Sequence, residues 1–70
     1  MTGEMQITVN GERRECPAGT TLNALIRTLG LEPERVAVEL NRAIVRRDLW
    51  DSTLVESGAE IEIVMFVGGG

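Results

Sequence analysis

The sequence predicts an α+β domain in which a mixed sheet of about five strands packs on one main helix. Apolar and polar residues alternate near the start of the chain and again in its second half, as is typical of half-buried strands. Between these regions, apolar residues recur at helical spacing. The predicted order is two strands, a helix and three further strands, which makes the helix a crossover on one face of the sheet. If the last strand pairs with the first, it lies in the middle of the sheet.

The length of the chain limits what it can do alone. Seventy residues make one domain, which hides only about 60% of its unfolded surface and leaves no room for a deep active-site cleft. We therefore expect reactions to be carried out on this chain by partners, and we predict that it is not itself an enzyme. The domain is predicted to span residues 1–67, followed by a flexible glycine tail, residues 68–70.

The first two strands form a predicted hairpin. The first strand covers residues 5–9 and ends at the pair Asn10-Gly11, which forms tight hairpin turns because both residues accept positive φ. A two-residue turn places Ile7 opposite Arg14 across the hairpin. The aliphatic stem of that arginine must then cover the edge of the core while its guanidinium stays in water.

The main helix is predicted just after this hairpin. Thr20 or Thr21 can cap its first turn. Gly30 can end it in the left-handed conformation, and Leu31 can fold back on the last turn. Four apolar residues form a single stripe that faces the sheet, at Leu22, Leu25, Ile26 and Leu29.

Shorter segments complete the predicted sheet. Strands are expected at residues 36–40, 43–45 and 60–67. The first two of these are joined by a turn at Asn41-Arg42. Residues 31–35 and 46–54 are interpreted as loops, the second with one helical turn begun by Asp48. Trp50 in this loop is predicted to provide packing, with contact to a partner as the alternative.

The last strand has two different faces. Its inward residues are predicted to pack on the helix and are Ile61, Ile63 and Met65. Its outward residues are acidic at the start and apolar near the glycines, and they are Glu60, Glu62, Val64 and Phe66. An exposed apolar pair beside the tail predicts that Val64 and Phe66 dock a partner. The alternative is that they cover the end of the sheet or pack on Trp50.

The composition disfavours several classes of function. The net charge is −4, which argues against nucleic acid and anionic membranes as partners. All seven basic residues are Arg, so no Lys can accept an isopeptide bond, and there is no His to bind a metal. The single cysteine, Cys16, is predicted to be a buried thiol rather than a sulfur relay. We expect a cytoplasmic protein that holds no metal and no cofactor of its own.

Three stretches of the sequence resemble one known family. They are MQITVNG near the start, VAVELNRAIVRRDLW in the middle and TLVESGAEIEIVMFVGGG at the end. From Met5 to Gly70 the chain resembles the small sulfur carrier proteins of thiamine biosynthesis, which are ubiquitin-like β-grasp domains. The combination that includes Asn41, Trp50 and the FVGGG ending is specific. A terminal Gly-Gly alone also occurs in small subunits of molybdopterin synthase and in protein modifiers.

The resemblance implies a chemical role for the tail. A partner that resembles ubiquitin-activating enzymes would use ATP to adenylate the Gly70 carboxylate. A persulfide donor would then supply the sulfur of a thiocarboxylate on Gly70, and thiazole synthase would receive that sulfur. Gly68 and Gly69 would thread into the partner, because a narrow channel fits bare backbone that lacks Cβ atoms. The alternatives are another thiolation pathway such as molybdopterin synthesis, a protein modifier, and an adaptor in which the glycines are incidental.

Overall fold

The computed structural model describes residues 3–66. Within them the chain forms five strands, one α-helix and two short 3₁₀ helices. The strands are β1 (Glu4–Val9), β2 (Glu12–Pro17), β3 (Val36–Leu40), β4 (Ala43–Val45) and β5 (Glu60–Met65). The helix α1 is Leu22–Thr28, and the 3₁₀ helices are Pro33–Arg35 and Arg47–Ser52. The predicted order of strands and helix is confirmed.

The last strand, β5, lies in the middle of the sheet. The strands are arranged in the order β2-β1-β5-β3-β4, and β5 runs parallel to β1 and antiparallel to β3. The sheet is therefore mixed, as predicted, and its first and last strands are neighbours. The strand that leads to the glycine tail is consequently flanked by β3 from Ile61 to Met65 and by β1 at its start.

The hairpin of β1 and β2 has the predicted register. Ile7 lies opposite Arg14, and the turn residues Asn10 and Gly11 have φ angles of 51° and 84°. Positive φ at both turn positions is what a tight two-residue hairpin requires. The Arg14 side chain is exposed, as expected for a charged residue at the edge of the core.

The helix begins and ends with the predicted local signals. The Thr21 hydroxyl accepts a hydrogen bond from the Ala24 N–H at 3.1 Å, so Thr21 rather than Thr20 is the cap. At the other end Gly30 has a φ of 78°, and the Leu31 N–H donates to the Ile26 carbonyl at 3.1 Å. These are the features of a Schellman ending. The helix therefore contains only seven residues.

The core lies between α1 and one face of the sheet. The stripe of α1 packs with alternate residues of β1, β3 and β5, and its members Leu22, Leu25 and Ile26 are buried. Cys16 is buried, as predicted. Trp50 is 2% exposed and donates its Nε1–H to the Val45 carbonyl at 2.9 Å, which confirms its packing role.

The connecting segments contain more helix than was predicted. Residues 33–35 were expected to be a loop and form a 3₁₀ turn, because Pro33 fixes φ at its first position. The helical turn expected to begin at Asp48 instead begins at Arg47 and runs to Ser52. Both segments are short and contact α1, so neither changes the predicted topology.

Met65 differs from its prediction. It was expected to pack on the helix with Ile61 and Ile63, but 56% of it is exposed. The reason is length: a seven-residue helix extends about 10 Å, whereas the six residues of β5 extend about 20 Å. Ile61 and Ile63 are buried in the core with the stripe of α1, whereas Met65 lies outside that core, in a groove beside the end of the helix.

Candidate functional site

The candidate site is the end of β5, from which the chain continues toward the glycines. Three consecutive residues there, Val64, Met65 and Phe66, are each more than half exposed, at 59%, 56% and 59%. Earlier in the same strand only the inward face is buried, where Ile61 is 1% exposed, and the outward glutamates are exposed. The fold therefore anchors one end of this strand in the core and presents the other end to solvent.

The β1 edge of this strand is held by an asparagine side chain. The β1–β5 ladder stops at the pair Val9 and Ile61, because β1 then turns away into its hairpin. The Asn10 side chain continues the pairing by one step. Its Oδ1 accepts the Ile63 N–H at 2.7 Å and its Nδ2 donates to the Ile63 carbonyl at 3.2 Å. A side-chain amide thus occupies the place of a strand peptide.

A second asparagine holds the opposite end of β5 on its β3 edge. Asn41 also lies in a two-residue hairpin turn and has a φ of 52°. Its Oδ1 accepts the Glu60 N–H at 2.9 Å, and its own N–H donates to the Glu60 carbonyl at 2.7 Å. The two asparagines therefore make similar contacts at the two ends of the same strand.

Val64 and Phe66 lie on the sheet face opposite the helix. Val64 pairs with Ala37 of β3, and the Phe66 N–H donates to the carbonyl of Arg35, the residue just before β3, at 2.9 Å. Backbone pairing on this edge therefore continues as far as residue 66. The alternative that these side chains pack on Trp50 does not fit the structure, since Trp50 is buried with the inward residues of the sheet. Their exposure leaves them available to a partner, and the docking role remains a prediction.

The same outer face carries carboxylates and one further apolar residue. Glu39 and Glu62 lie directly opposite each other on β3 and β5. Ile44 of β4 lies opposite Glu39 and is 75% exposed, which adds it to the apolar residues of this face. Sequence reasoning missed Ile44, because a strand of three residues is too short to show which residue points outward.

A shallow groove lies on the helix side of the strand end. Its volume is about 360 Å³ and it opens where the helix stops short of Met65. The lining is mixed and consists of Val9, Asn10, Glu12, Arg14, Leu29, Leu31, Ile63 and Met65. The end of β5 is therefore accessible from both faces of the sheet.

The predicted tail residues Gly68, Gly69 and Gly70 lie outside the described residues, so their roles remain predictions. Within residues 3–66, no three Cys, Asp or Glu side chains are grouped in a way that could hold a metal ion. None of the helices in that part of the chain is long and apolar enough to cross a membrane. The Arg46 and Arg47 side chains are exposed, and Arg46 Nε lies 3.5 Å from Asp48 Oδ1.

Comparison with known proteins identifies the family of a chain with this fold and this ending. The model of the ThiS family matches residues 7–70, which include all three terminal glycines. The chain belongs to the ThiS family. Members of this family are sulfur carriers of thiamine biosynthesis, and the resemblance found in the sequence is confirmed at that level.

Two curated relatives differ in how much of their own length aligns with this chain. It is 32% identical over 66 residues to the sulfur carrier protein ThiS of Escherichia coli, with 94% of this chain and all of that protein aligned. It is 46% identical over 66 residues to a protein of Magnetococcus marinus named thiazole synthase. That alignment covers 94% of this chain but only 20% of the relative, so the chain spans about a fifth of that protein.

Solved structures support the same fold. The crystal structure of the thiamine biosynthesis protein ThiS from Geobacter metallireducens aligns with a TM-score of 0.77 and 34% identity, covering 94% of this chain and all of that one. A designed protein based on a human ubiquitin template aligns with a TM-score of 0.57 at 21% identity, with 97% and 96% of the two chains covered. The ThiS-family domain thus has the ubiquitin-like β-grasp fold that was predicted.

Proposed function

We propose that Gly70 is the reactive residue of this sulfur carrier and that partners convert its carboxylate to a thiocarboxylate. The observation that carries the proposal is the family match, which extends through the glycines to residue 70. The carrier is a substrate at each step and supplies no catalytic group of its own. Its contribution is a segment without side chains, Gly68 to Gly70, that follows a folded domain.

The first step has to overcome the low reactivity of the carboxylate. A free α-carboxylate is ionised at neutral pH and is a poor electrophile. An activating partner related to ubiquitin-activating enzymes binds ATP, and the carboxylate oxygen attacks its α-phosphorus. This forms a carrier acyl-adenylate and releases pyrophosphate. The carrier needs no bound cofactor, because the ATP is held by the partner.

The second step introduces sulfur. The terminal sulfur of a cysteine persulfide attacks the acyl carbon and displaces AMP, which leaves an acyl disulfide. A thiol then cleaves the sulfur–sulfur bond, and the products are the thiocarboxylate on Gly70 and a disulfide between the two thiol groups. Atoms and electrons balance because the second thiol is oxidised as the acyl disulfide is reduced.

Thiazole synthase is the proposed acceptor of the sulfur. A protein with that name contains a segment 46% identical to this chain over a fifth of its own length. A carrier-like segment in the same polypeptide as a thiazole synthase is consistent with transfer of sulfur from the carrier to the synthase. Molybdopterin synthesis and protein modification use comparable activation chemistry but differ at this final transfer, so the acceptor distinguishes them.

Docking of the activating partner is proposed to use the outer face of the sheet near the tail. Val64 and Phe66 provide exposed apolar area there, and Ile44 extends it across β3. The carboxylates of Glu39 and Glu62 lie beside this area and favour a partner surface with basic groups. We expect that docking on this face directs the tail into the active site of the partner.

Intact mass spectrometry tests the central step. The carrier is incubated with the activating enzyme, ATP and a persulfide donor, and we expect its mass to increase by the difference between sulfur and oxygen, localised to Gly70. Removing Gly70 moves the carboxylate back by about 3.3–3.6 Å. An error of about 1 Å can already cost about 100-fold. ATP–pyrophosphate exchange should therefore fall by at least about 100-fold in the truncated carrier.

Two controls make this test decisive. The truncated carrier should keep its melting temperature and its binding to the activating enzyme, because the domain is unchanged. Full exchange activity without Gly70 would remove the tail from the mechanism and favour an adaptor. Incubation of the thiocarboxylate form with thiazole synthase or with the large subunit of molybdopterin synthase then identifies the pathway, while high-mass conjugates in a cell extract would indicate a protein modifier.

A further inference from the structure

The hydrogen bonds of Asn10 exceed what its turn requires. A tight hairpin needs positive φ at this position, and glycine would satisfy that need equally well. The side-chain amide instead reaches a residue 53 positions away and bonds both polar backbone groups of Ile63, at 2.7 and 3.2 Å. Its backbone N–H also donates to the Ile61 carbonyl at 2.8 Å. One turn residue therefore holds two successive odd-numbered residues of β5.

The position of these bonds along β5 is significant. From Glu60 to Phe66, the backbone N–H and carbonyl groups of even-numbered residues point toward the β3 edge, as the Phe66–Arg35 and Asn41–Glu60 hydrogen bonds show. Those of odd-numbered residues point toward β1. The β1 ladder ends at Ile61. The Asn10 side chain extends hydrogen bonding on that edge to Ile63, which β3 flanks on the other edge. Within residues 3–66, only β3 flanks the strand beyond that point.

Resting on the proposed function, we propose that Asn10 is a positioning residue for the sulfur-transfer tail. Its amide holds Ile63 on the β1 side of β5 and so keeps residues 64–66 aligned with the sheet before a partner binds. Without the amide, the partner has to order a longer segment when it threads the tail. Ordering the backbone of even one more residue costs about tenfold in binding.

Asn41 provides a matched control within the same chain. It lies in the same kind of turn, has nearly the same φ, and bonds the backbone of the same strand, but at Glu60 instead of near the tail. Glycine is compatible with positive φ at both positions. The variants Asn10→Gly and Asn41→Gly each remove one side-chain amide that bonds β5, and they differ in which end of the strand is released.

The test compares both variants with the wild type in ATP–pyrophosphate exchange with the activating enzyme. We expect Asn10→Gly to raise the KM for the carrier about tenfold and to leave kcat at saturation near the wild-type value, because the partner reorders the strand once it is bound. Asn41→Gly should change neither constant. Melting curves for both variants show whether the assay temperature lies below unfolding. Equal losses in the two variants would indicate a general structural effect and would overturn the proposal, as would no change in either.

Hydrogen exchange of the free carrier gives a readout that does not depend on the reaction. The Phe66 N–H donates to the carbonyl of Arg35, the residue just before β3, and has no bond to Asn10. If Asn10 orders the strand end, Asn10→Gly should reduce Phe66 protection several-fold, whereas Asn41→Gly should leave it unchanged. Unchanged protection in Asn10→Gly would overturn the ordering role. A wild-type carrier that supports no exchange reaction would contradict the proposed function and the kinetic part of this inference, while Phe66 protection would still decide the ordering part.

Discussion

The two ends of β5 differ both in their outward residues and in their surroundings. At the start, Ile61 is 1% exposed and the strand pairs with β1 and β3 on its two edges. At the end, Val64 and Phe66 are 59% exposed and β3 alone flanks them within the described chain. A single strand can thus be packed into the core at one end and exposed to solvent at the other, without a hinge or a separate domain. What changes along the strand is the length of its neighbours, since α1 and β1 both stop before β5 does.

The largest expected effect separates the anchored end from the presented end by stability. Ile61→Ala removes a fully buried side chain and should lower the free energy of unfolding by about 2–5 kcal/mol. Val64→Ala, three residues later, should change it by no more than about 0.5 kcal/mol because the side chain is mostly exposed. Chemical denaturation of both variants measures the difference. Similar losses would show that the end of β5 is part of the core.

A second experiment tests by binding whether the exposed end of β5 contacts the partner. Phe66→Asp should weaken binding to the activating enzyme by about 2 kcal/mol, which is about 30-fold in Kd, and leave the melting temperature unchanged. Leu54→Asp is a suitable control, because Leu54 is 56% exposed and lies outside β5. Isothermal titration with both variants is the measurement. Equal binding by Phe66→Asp and wild type would exclude the outer face as the docking surface.

The smallest expected effect concerns the carboxylates between the two ends. Like charges directly opposite each other on neighbouring strands repel, so Glu62→Gln should stabilise the domain by about 0.2–0.5 kcal/mol. Glu60→Gln should not, because Glu60 Oε1 lies 4.0 Å from Arg42 Nε and the variant loses that attraction. Thermal melting at low salt tests both variants, and the gain should shrink at high salt. A loss of stability in Glu62→Gln would mean that Glu39 and Glu62 do not repel in the folded state.

Most of the fold could be predicted because its signals are local. The Asn10-Gly11 turn fixes the register of the first hairpin, and Thr21 and Gly30 mark the two ends of the helix. Each of these signals depends on residues within a few positions in sequence. The central place of β5 was predicted on the condition that the last strand pairs with the first, and the structure shows that pairing.

The properties of the site that were missed depend on distant residues. The exposure of Met65 follows from the length of a helix that belongs to another part of the chain. The hydrogen bonds of Asn10 join residues 53 positions apart, so the turn motif gave no sign of them. Ile44 is assigned to the outer face by its pairing with Glu39, which a three-residue strand does not reveal. Val64 and Phe66 were recognised because the alternation of a longer strand identified their face.

The place of β5 in the sheet also constrains how the protein is made. During synthesis the hairpins β1–β2 and β3–β4 leave the ribosome first, yet they are not neighbours in the finished sheet. They cannot be joined until residues 60–65 emerge and insert between them, and until then each hairpin exposes the apolar face that will form the core. Pairing of strands so distant in sequence is slow compared with local folding. We therefore expect nascent chains that stall before β5 to be sensitive to proteolysis and aggregation.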